Sequence, residues 1–147
     1  MAPATLRLLA QEPADLEVVS AALQDGIVRM RDIVWDRARR RLTLQLNRYR
    51  WEAGEAAGQG ERVRAALAIE GVLAVRSRAL RREAGEAVAS LLALQFAPDA
   101  EPPGGVLTLA FAGGGALALS VECVDAVLAD LSAPWPARAR PDHEGEG

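Results

Sequence analysis

Two runs of alternating apolar residues around a glycine triplet constrain the fold of this chain more than any other feature. Leu107, Leu109 and Phe111 alternate with small or polar residues before the glycines at 113–115. The same alternation resumes over 117–121. Period-two alternation is typical of a strand with one buried face, and glycines supply the positive φ angles that tight hairpin turns require. The sequence therefore predicts a β-hairpin here.

Other segments extend this hairpin into a larger antiparallel sheet. Apolar runs at 27–35 and 41–52 flank the polar turn "DRARR", which is the layout of a second hairpin. Residues 61–80 favour a strand pair or one bent strand, because Gly71 and the alternating valines disagree with a helix. The run at 87–98 predicts one more strand.

Helices are predicted near both ends of the chain. After a first strand at 5–11, Leu16, Val19 and Leu23 share one helical face. Apolar residues at 124, 127, 128 and 131 follow the i, i+3, i+4, i+7 spacing of an amphipathic helix. The pattern predicts an N-terminal and a C-terminal helix.

The order of these elements predicts an α+β fold. We expect a strongly bent antiparallel sheet or partial barrel with one helix at each end, and a pleckstrin-homology-like roll fits the last two-thirds. At 147 residues, half of them apolar, the chain is long enough for one domain with a substantial core. We predict a single globular domain over 1–136 and a polar, disordered tail over 137–147.

Composition excludes several kinds of chemistry. All 17 basic residues are arginine, so neither a Schiff-base lysine nor a P-loop lysine is available. The single histidine, His143, lies in the predicted tail, and the single cysteine, Cys123, cannot form an internal disulfide. We therefore predict no metal site, no cofactor and no catalytic residue. Acidic residues at 12, 15 and 17 are not typical of a signal sequence, and the sequence contains no membrane-length apolar run, so we expect a cytoplasmic protein without membrane association.

Positive charge is concentrated in the middle of the chain. Residues 37–82 hold twelve arginines and four acidic residues, whereas both flanking segments are net negative. If the central strands are neighbours, their arginines can attract phosphate or carboxylate groups, and nearby aromatic rings can stack on bases. The candidate binding residues are Arg48, Arg50, Arg76 and Arg78, with Tyr49 and Trp51 as stacking surfaces. The alternative is that these arginines pair with acids on a solvated surface or dock a partner chain.

The apolar phase changes within the second of these runs. Leu42, Leu44 and Leu46 alternate on one face, but Tyr49 and Trp51 follow in the opposite phase. A bulge that inserts one residue produces such a change, and so does a strand end that is covered on both faces. We expect a bulge or bend that lets the two aromatic rings pack at the end of the barrel.

Two further residues have alternative structural and functional interpretations. Glu52, beside Arg48 and Arg50, is the candidate for a carboxylate-based catalyst, although such a role requires a shifted pKa. Trp135, in the rigid tripeptide "PWP", either anchors a protein partner or folds back over the core.

Several segments together resemble a known family. The strings "LLAQEPADLEVVSAALQDGIVRMRDIVWD", "LNRYRWE", "GVLAVRSRAL", "FAGGGALALSVECVDAVLADL" and "PWPARARPDH" cover most of the chain. They resemble an uncharacterised family of small alphaproteobacterial proteins, the domain of unknown function DUF2948. The resemblance implies a cytosolic bacterial protein and assigns no activity or site residues.

Three functional hypotheses follow. The first is a non-catalytic binding or adaptor module with a protein partner, or with a second copy docked at an exposed strand edge. The alternative is a binder of RNA or a small anionic ligand that uses the arginine-rich strands of residues 37–82. An enzyme based on Glu52 is the third and weakest.

Overall fold

The protein consists mainly of β-strands. The computed structural model describes residues 6–53, 60–80 and 85–137. The strands are β1 (Arg7–Ala10), β2 (Gly26–Asp36), β3 (Arg41–Tyr49), β4 (Glu61–Ile69), β5 (Val72–Arg78), β6 (Val88–Pro98), β7 (Gly105–Phe111), β8 (Ala116–Val121), β9 (Ala126–Asp130) and β10 (Trp135–Pro136). Within these ranges the one α-helix is α1 (Leu16–Leu23), and single 3₁₀ turns lie at Pro13–Asp15 and Trp51–Ala53.

All ten strands belong to one sheet, and every pairing between them is antiparallel. The order is β1-β9-β4-β3-β2-β6-β7-β8-β5, and β10 pairs with β4. Leu44 and Leu67 from one half of this order share a hydrophobic cluster with Leu109 and Leu119 from the other half. Since each strand has one buried face, the sheet must bend round a common core.

The two hairpins predicted from the sequence are confirmed. β7 pairs with β8 across the glycine turn, where Gly113 and Gly114 have φ angles of 89° and 92°. Such angles lie in the left-handed region that glycine adopts without steric cost. β2 pairs with β3 up to the pair Asp36 and Arg41, which encloses the predicted polar turn.

The N-terminal helix is also confirmed. Leu16, Val19 and Leu23 are buried in the core cluster, as the helical spacing predicts. The helix packs chiefly against β6, where the Ser20 hydroxyl accepts a hydrogen bond from the Leu94 amide at 2.9 Å. The hydrogen bond satisfies the Leu94 amide, which lies beyond Leu91, the last β6 residue that pairs with β2.

The predicted C-terminal helix is wrong, because its residues form strand β9. β9 lies between β1 and β4 and pairs with both, so its backbone groups fill two ladders that a helix would leave open. Val124, Ala126 and Leu128 are buried at alternate positions, a period-two pattern that shares two residues with the helical one. The expected α+β fold with a helix at each end is therefore wrong, and so is the pleckstrin-homology-like roll that needs the closing helix.

The phase change after Leu46 has a different cause from the expected bulge. β3 and β4 pair without a register shift from Leu42 to Tyr49. The buried face simply continues from Leu46 to Arg48, whose side chain is fully buried. Tyr49 is buried as well, on the opposite face. The end of β3 is thus covered on both faces, which was the alternative explanation.

The segment 61–80 forms two strands that do not pair with each other. β4 lies between β3 and β9, whereas β5 is at the edge of the sheet beside β8. Gly71, with a φ angle of 68°, lies in the short connection between them. This connection carries the chain from one half of the sheet to the other.

The predicted tail lies outside the described residues except for Ala137. That residue is buried, and its amide donates a hydrogen bond to the Gly60 carbonyl at 3.2 Å. His143 is likewise outside the described ranges. Within those ranges, no helix has the length and apolar character needed to cross a membrane.

Candidate functional site

The four arginines predicted to bind an anion do not share one face. Arg48 and Arg50 lie at the end of β3, while Arg76 and Arg78 lie on the edge strand β5. β2, β6, β7 and β8 separate β3 from β5 in the sheet. A single site that uses all four residues is therefore not formed, and the ligand itself stays a prediction.

Arg48 is the centre of a buried ion cluster. Its Nε and Nη2 donate hydrogen bonds to the two Asp130 carboxylate oxygens at 2.8 and 2.9 Å. Its Nη1 and Nη2 donate to the two Glu52 oxygens at 3.0 and 2.7 Å. The Arg48 and Asp130 side chains are 0% and 2% exposed. All the donor nitrogens of this guanidinium are thus occupied within the protein.

The cluster also ties together distant parts of the chain. Asp130 belongs to β9, and its Oδ2 additionally accepts the Leu6 amide at 3.0 Å. Glu52 belongs to the 3₁₀ turn after β3 and is 40% exposed. Arg48 therefore holds β3, β9, the N-terminal strand and this turn in one network, which is a structural role.

The charges of the cluster are fixed by their mutual contacts. Burial opposes the charge on Arg48, but the hydrogen bonds that Arg48 donates to Glu52 and Asp130 outweigh it and raise the pKa of Arg48 above its ordinary value. The hydrogen bond from Arg48 lowers the pKa of Glu52, against the opposing effect of burial. A general acid needs a raised pKa, so this environment argues against acid catalysis by Glu52.

The lowered pKa of Glu52 predicts a specific pH dependence of stability. Because the folded pKa lies below the ordinary value of about 4.5, the contribution is complete above that value and lost as the pH falls through the folded pKa. Glu52→Gln should therefore be less stable than wild type at pH 6, and the difference should shrink as the pH falls below 4. Urea unfolding at several pH values measures this difference. A difference in unfolding free energy between the two proteins that stays constant down to pH 3 would contradict this prediction.

Arg50 and Tyr49, the other residues at the end of β3 that were predicted to bind a ligand, already contact other parts of the protein. Arg50 forms an ion pair with Glu61 and lies 3.8 Å from Glu52. Tyr49 is 1% exposed, so its ring face is not open to a base. A Cβ at Gly60 would overlap the Tyr49 hydroxyl, and this close approach explains the glycine at that position.

Trp51 and Trp135 keep part of their surfaces exposed. The Trp51 ring centroid is 4.5 Å from that of Tyr49, and its indole N–H donates to the Gln24 carbonyl at 2.9 Å. Trp135 pairs with Arg62 through β10 and is 36% exposed. A partner interface at Trp135 stays a prediction.

Several of the remaining central arginines pair with acids at the surface. Arg39 pairs with Asp36, Arg40 with Glu122, and Arg41 with Glu70. These contacts agree with the alternative interpretation of paired, solvated arginines. Exposed pairs of this kind contribute only about 0–1 kcal/mol each to stability.

Arg76 and Arg78 are exposed on the outer face of the second half of the sheet. With Thr108, Ala116 and Ala118 they line a groove of about 470 Å³. Neither guanidinium has a hydrogen bond or ion pair with any described residue. This pair retains part of the predicted anion site without Arg48 and Arg50.

A second group of arginines surrounds another cleft, which was not predicted from the sequence. Its origin is an irregularity in β2, where residues 29–32 lie opposite the single β3 residue Gln45. The amides of Met30 and Arg31 turn instead to the carbonyls of Ala87 and Gly85, at 2.9 and 3.1 Å. β2 thus moves away from β3 at this point.

We call the resulting hollow the arginine cleft. Its volume is about 430 Å³, and it lies on the outer face of the sheet. The lining residues are Ile27, Arg29, Arg31, Asp32, Asn47, Arg64 and Val88. Three arginines and one aspartate therefore line one small volume.

Arg64 is held in place within the arginine cleft. Its Nη2 donates to Asp32 Oδ2 at 3.1 Å and to Gln45 Oε1 at 3.3 Å, and its Nη1 donates to Asn47 Oδ1 at 3.2 Å. Fixing a long side chain before a ligand arrives reduces the entropy lost on binding.

The other two arginines are more available to a ligand. Arg31 donates to Glu86 at 2.6 Å on an exposed surface. Arg29 is exposed and makes no ion pair or hydrogen bond with the described part of the chain. Guanidiniums bind carboxylate and phosphate oxygens with two parallel hydrogen bonds, so the cleft can receive an anion.

The alternation of residues in β2 contains one signal of this irregularity. Val28 and Met30 point inward while Arg29 and Arg31 point outward, and the buried position after Met30 is Ile33 rather than residue 32. The phase change that marks a bulge was therefore in β2, not in β3. Within this irregular segment Asp32 joins Arg31 on the outer side.

Clusters suited to a metal ion are not found in the described ranges, where no three His, Cys, Asp or Glu side chains come close enough together.

The comparison with protein families gives one result. Residues 6–143 match the family described as "Protein of unknown function (DUF2948)". No curated protein matches the chain, and no solved structure matches it.

Proposed function

Because the chain belongs to the DUF2948 family, whose description assigns no function, we propose from the geometry that it is a small binding module for an anionic ligand. The binding site is the arginine cleft. The observation that carries the proposal is the convergence of Arg29, Arg31 and Arg64 on one concave volume, with Arg64 already oriented by Asp32 and Asn47.

The cleft favours a ligand with both an anionic group and an apolar part. Ile27 and Val88 form its apolar wall and are 37% and 61% exposed. A phosphate or carboxylate attached to an aliphatic or aromatic body can contact this wall and the guanidiniums together. A volume of about 430 Å³ is within the range of about 300–1,000 Å³ that is typical of small-molecule sites.

Two observations support a small anion over RNA. Sequence-tolerant RNA binding needs a basic track with exposed aromatic rings, but Tyr49 is buried. The two groups of arginines from β3 and β5 are also separated by four strands. A ligand held at one cleft agrees better with this arrangement than an extended strand does.

The test is a calorimetric titration with pyrophosphate and with phenyl phosphate. Arg29→Gln should weaken both affinities about ten- to hundredfold, because one charge-assisted hydrogen-bonding group is lost. The matched control is Arg37→Gln, which removes an exposed arginine that also lacks a described partner and lies outside the cleft. Its affinities should stay within about twofold of wild type, as expected for a screened charge beyond contact distance.

Inorganic phosphate is titrated as a third probe, and phenyl phosphate should bind more tightly than inorganic phosphate because its ring can contact Ile27 and Val88. Both affinities should fall as salt is added. Equal losses in the two arginine variants would contradict the proposed site. Undetectable binding of every probe at millimolar concentration would contradict the proposed function.

A further inference from the structure

A second concave surface lies away from the arginine cleft, between α1 and the N-terminal strand. We call it the α1 groove. Its walls are Leu6 and Leu8 from the N-terminal segment, Val18 and Ala22 from α1, and Trp51 and Glu52 from the 3₁₀ turn after β3. Its volume is about 330 Å³. All of these lining side chains are apolar except Glu52.

Trp51 presents a fixed apolar surface to the α1 groove. The indole N–H is already bonded to the Gln24 carbonyl, and the ring lies against Tyr49. The polar tip of the side chain is thus satisfied outside the groove. What the ring offers a ligand is its π-surface, which attracts cations.

Glu52 gives the α1 groove a negative charge. The hydrogen bond from Arg48 keeps this carboxylate ionised, but Arg48 is shared with the buried Asp130. Among the described residues, the connected network of Arg48, Arg50, Glu52, Glu61 and Asp130 holds three carboxylates and two guanidiniums, an excess of one negative charge. Of the three carboxylates, Glu52 is the one that lines the groove.

The Glu52 carboxylate can also accept further hydrogen bonds. Arg48 occupies one lone-pair position on each oxygen, and the Glu52 backbone N–H contributes one more hydrogen bond, whereas an ionised carboxylate has about four such positions in total. A cation in the groove can therefore bond Glu52 without displacing Arg48.

From these contacts we propose that the α1 groove binds an aliphatic amine, that is, an apolar chain that ends in a primary ammonium group. The chain lies between α1 and Leu6 and Leu8, and the ammonium group lies between the Trp51 ring and Glu52. A carboxylate or phosphate ligand would meet the Glu52 carboxylate and the excess negative charge of the described network. A peptide backbone would bury amide groups against walls that offer only one polar partner, and unpaired amides are costly to bury.

The experiment is a calorimetric titration of the whole protein with hexylammonium, 1-hexanol and hexanoate. Wild type should bind hexylammonium about tenfold more tightly than hexanol, because the ion pair and the cation–π contact add to the same chain burial. Hexanoate should bind more weakly than hexanol. Equal affinities for hexylammonium and hexanol would overturn the proposal.

A pair of matched variants assigns the preference to the α1 groove. Glu52→Gln should remove the preference for ammonium and leave hexanol binding unchanged. Glu61→Gln removes a carboxylate of similar exposure from the same network, but outside the groove, and should keep the preference. Equal effects of the two variants would overturn the assignment, since they would indicate a general charge effect.

An exposed position provides a second test that does not disturb the ion cluster. Val18→Arg adds a cation to the groove wall at a residue that is 58% exposed, and it should weaken hexylammonium binding about tenfold. Val34→Arg adds the same charge at a residue that is 52% exposed and outside the groove, and it should have little effect. Binding of hexylammonium by Val18→Arg with wild-type affinity would overturn the proposed site.

Discussion

Arg48→Met is expected to lower the free energy of unfolding by about 3–5 kcal/mol, the usual result of removing one partner from a buried ion pair. The Asp130 carboxylate, 2% exposed, loses both hydrogen bonds from Arg48, and among the described residues only the Leu6 amide still donates to it. A buried charge without a counter-ion cannot be compensated by solvent. Urea unfolding followed by circular dichroism measures the loss, and an unchanged slope would show that the unfolded state is unaffected.

The control is Arg41→Met, which breaks the pair between Arg41 and Glu70. This pair has a similar distance, 2.7 Å, but its side chains are 41% and 35% exposed. The expected loss is below about 1 kcal/mol. Adding Asp130→Asn to Arg48→Met should recover part of the stability, because the remaining charge is removed. A double variant no more stable than Arg48→Met would contradict the account of the cluster.

Leu128→Ala is expected to destabilise the protein by about 2–5 kcal/mol, whereas Leu131→Ala should stay within about 0.5 kcal/mol of wild type. The structure places Leu128 in the core on β9, with 0% exposure, and leaves Leu131 54% exposed just after the strand. The same unfolding measurement compares the two variants, which remove identical groups.

This comparison distinguishes strand from helix at the C-terminal end of the fold. In the amphipathic helix predicted from spacing, Leu128 and Leu131 share the buried face, and the two variants should lose similar stability. With β9 as a strand, only Leu128 of these two residues points inward. Similar losses in both variants would therefore contradict the strand.

The parts of the fold that the sequence predicted are those encoded by nearby residues. The β7 and β8 hairpin depends on local alternation and on glycines that adopt positive φ. Helix α1 buries Leu16, Val19 and Leu23, the residues that its helical spacing predicts. In β9 both periods fit, and the pairing with β1 and β4 decided between them. Such pairing joins residues far apart in sequence, so spacing alone could not reveal it.

The ion cluster was not predicted because its central residue breaks a statistical expectation. Arginine is rarely buried, so Arg48 was expected to be exposed and the apolar phase was expected to change after Leu46. Its partner Asp130 is 82 residues away. Because the sequence does not show that Asp130 lies next to Arg48, burial of Arg48 on the same face as Leu46 could not be predicted from it.

The arginine cleft required knowledge of three neighbouring strands. Arg29 and Arg31 come from β2, Asn47 from β3 and Arg64 from β4, and the β2 irregularity opens the space between them. The sequence indicated an excess of arginine in residues 37–82 but placed the site at Arg48, Arg50, Arg76 and Arg78. Of these, Arg76 and Arg78 remain exposed and are the second place where an anion can bind.

The most direct measurement of the central proposal is an NMR titration of the isotope-labelled wild-type protein with pyrophosphate. It follows backbone amides and arginine Nε–H groups together, so it locates the ligand without any substitution. We predict that the largest shifts occur at residues 27–32, at Asn47 and at the side chains of Arg29 and Arg64. Shifts that centre on Arg76 and Arg78, or no shifts at millimolar pyrophosphate, would contradict binding at the arginine cleft.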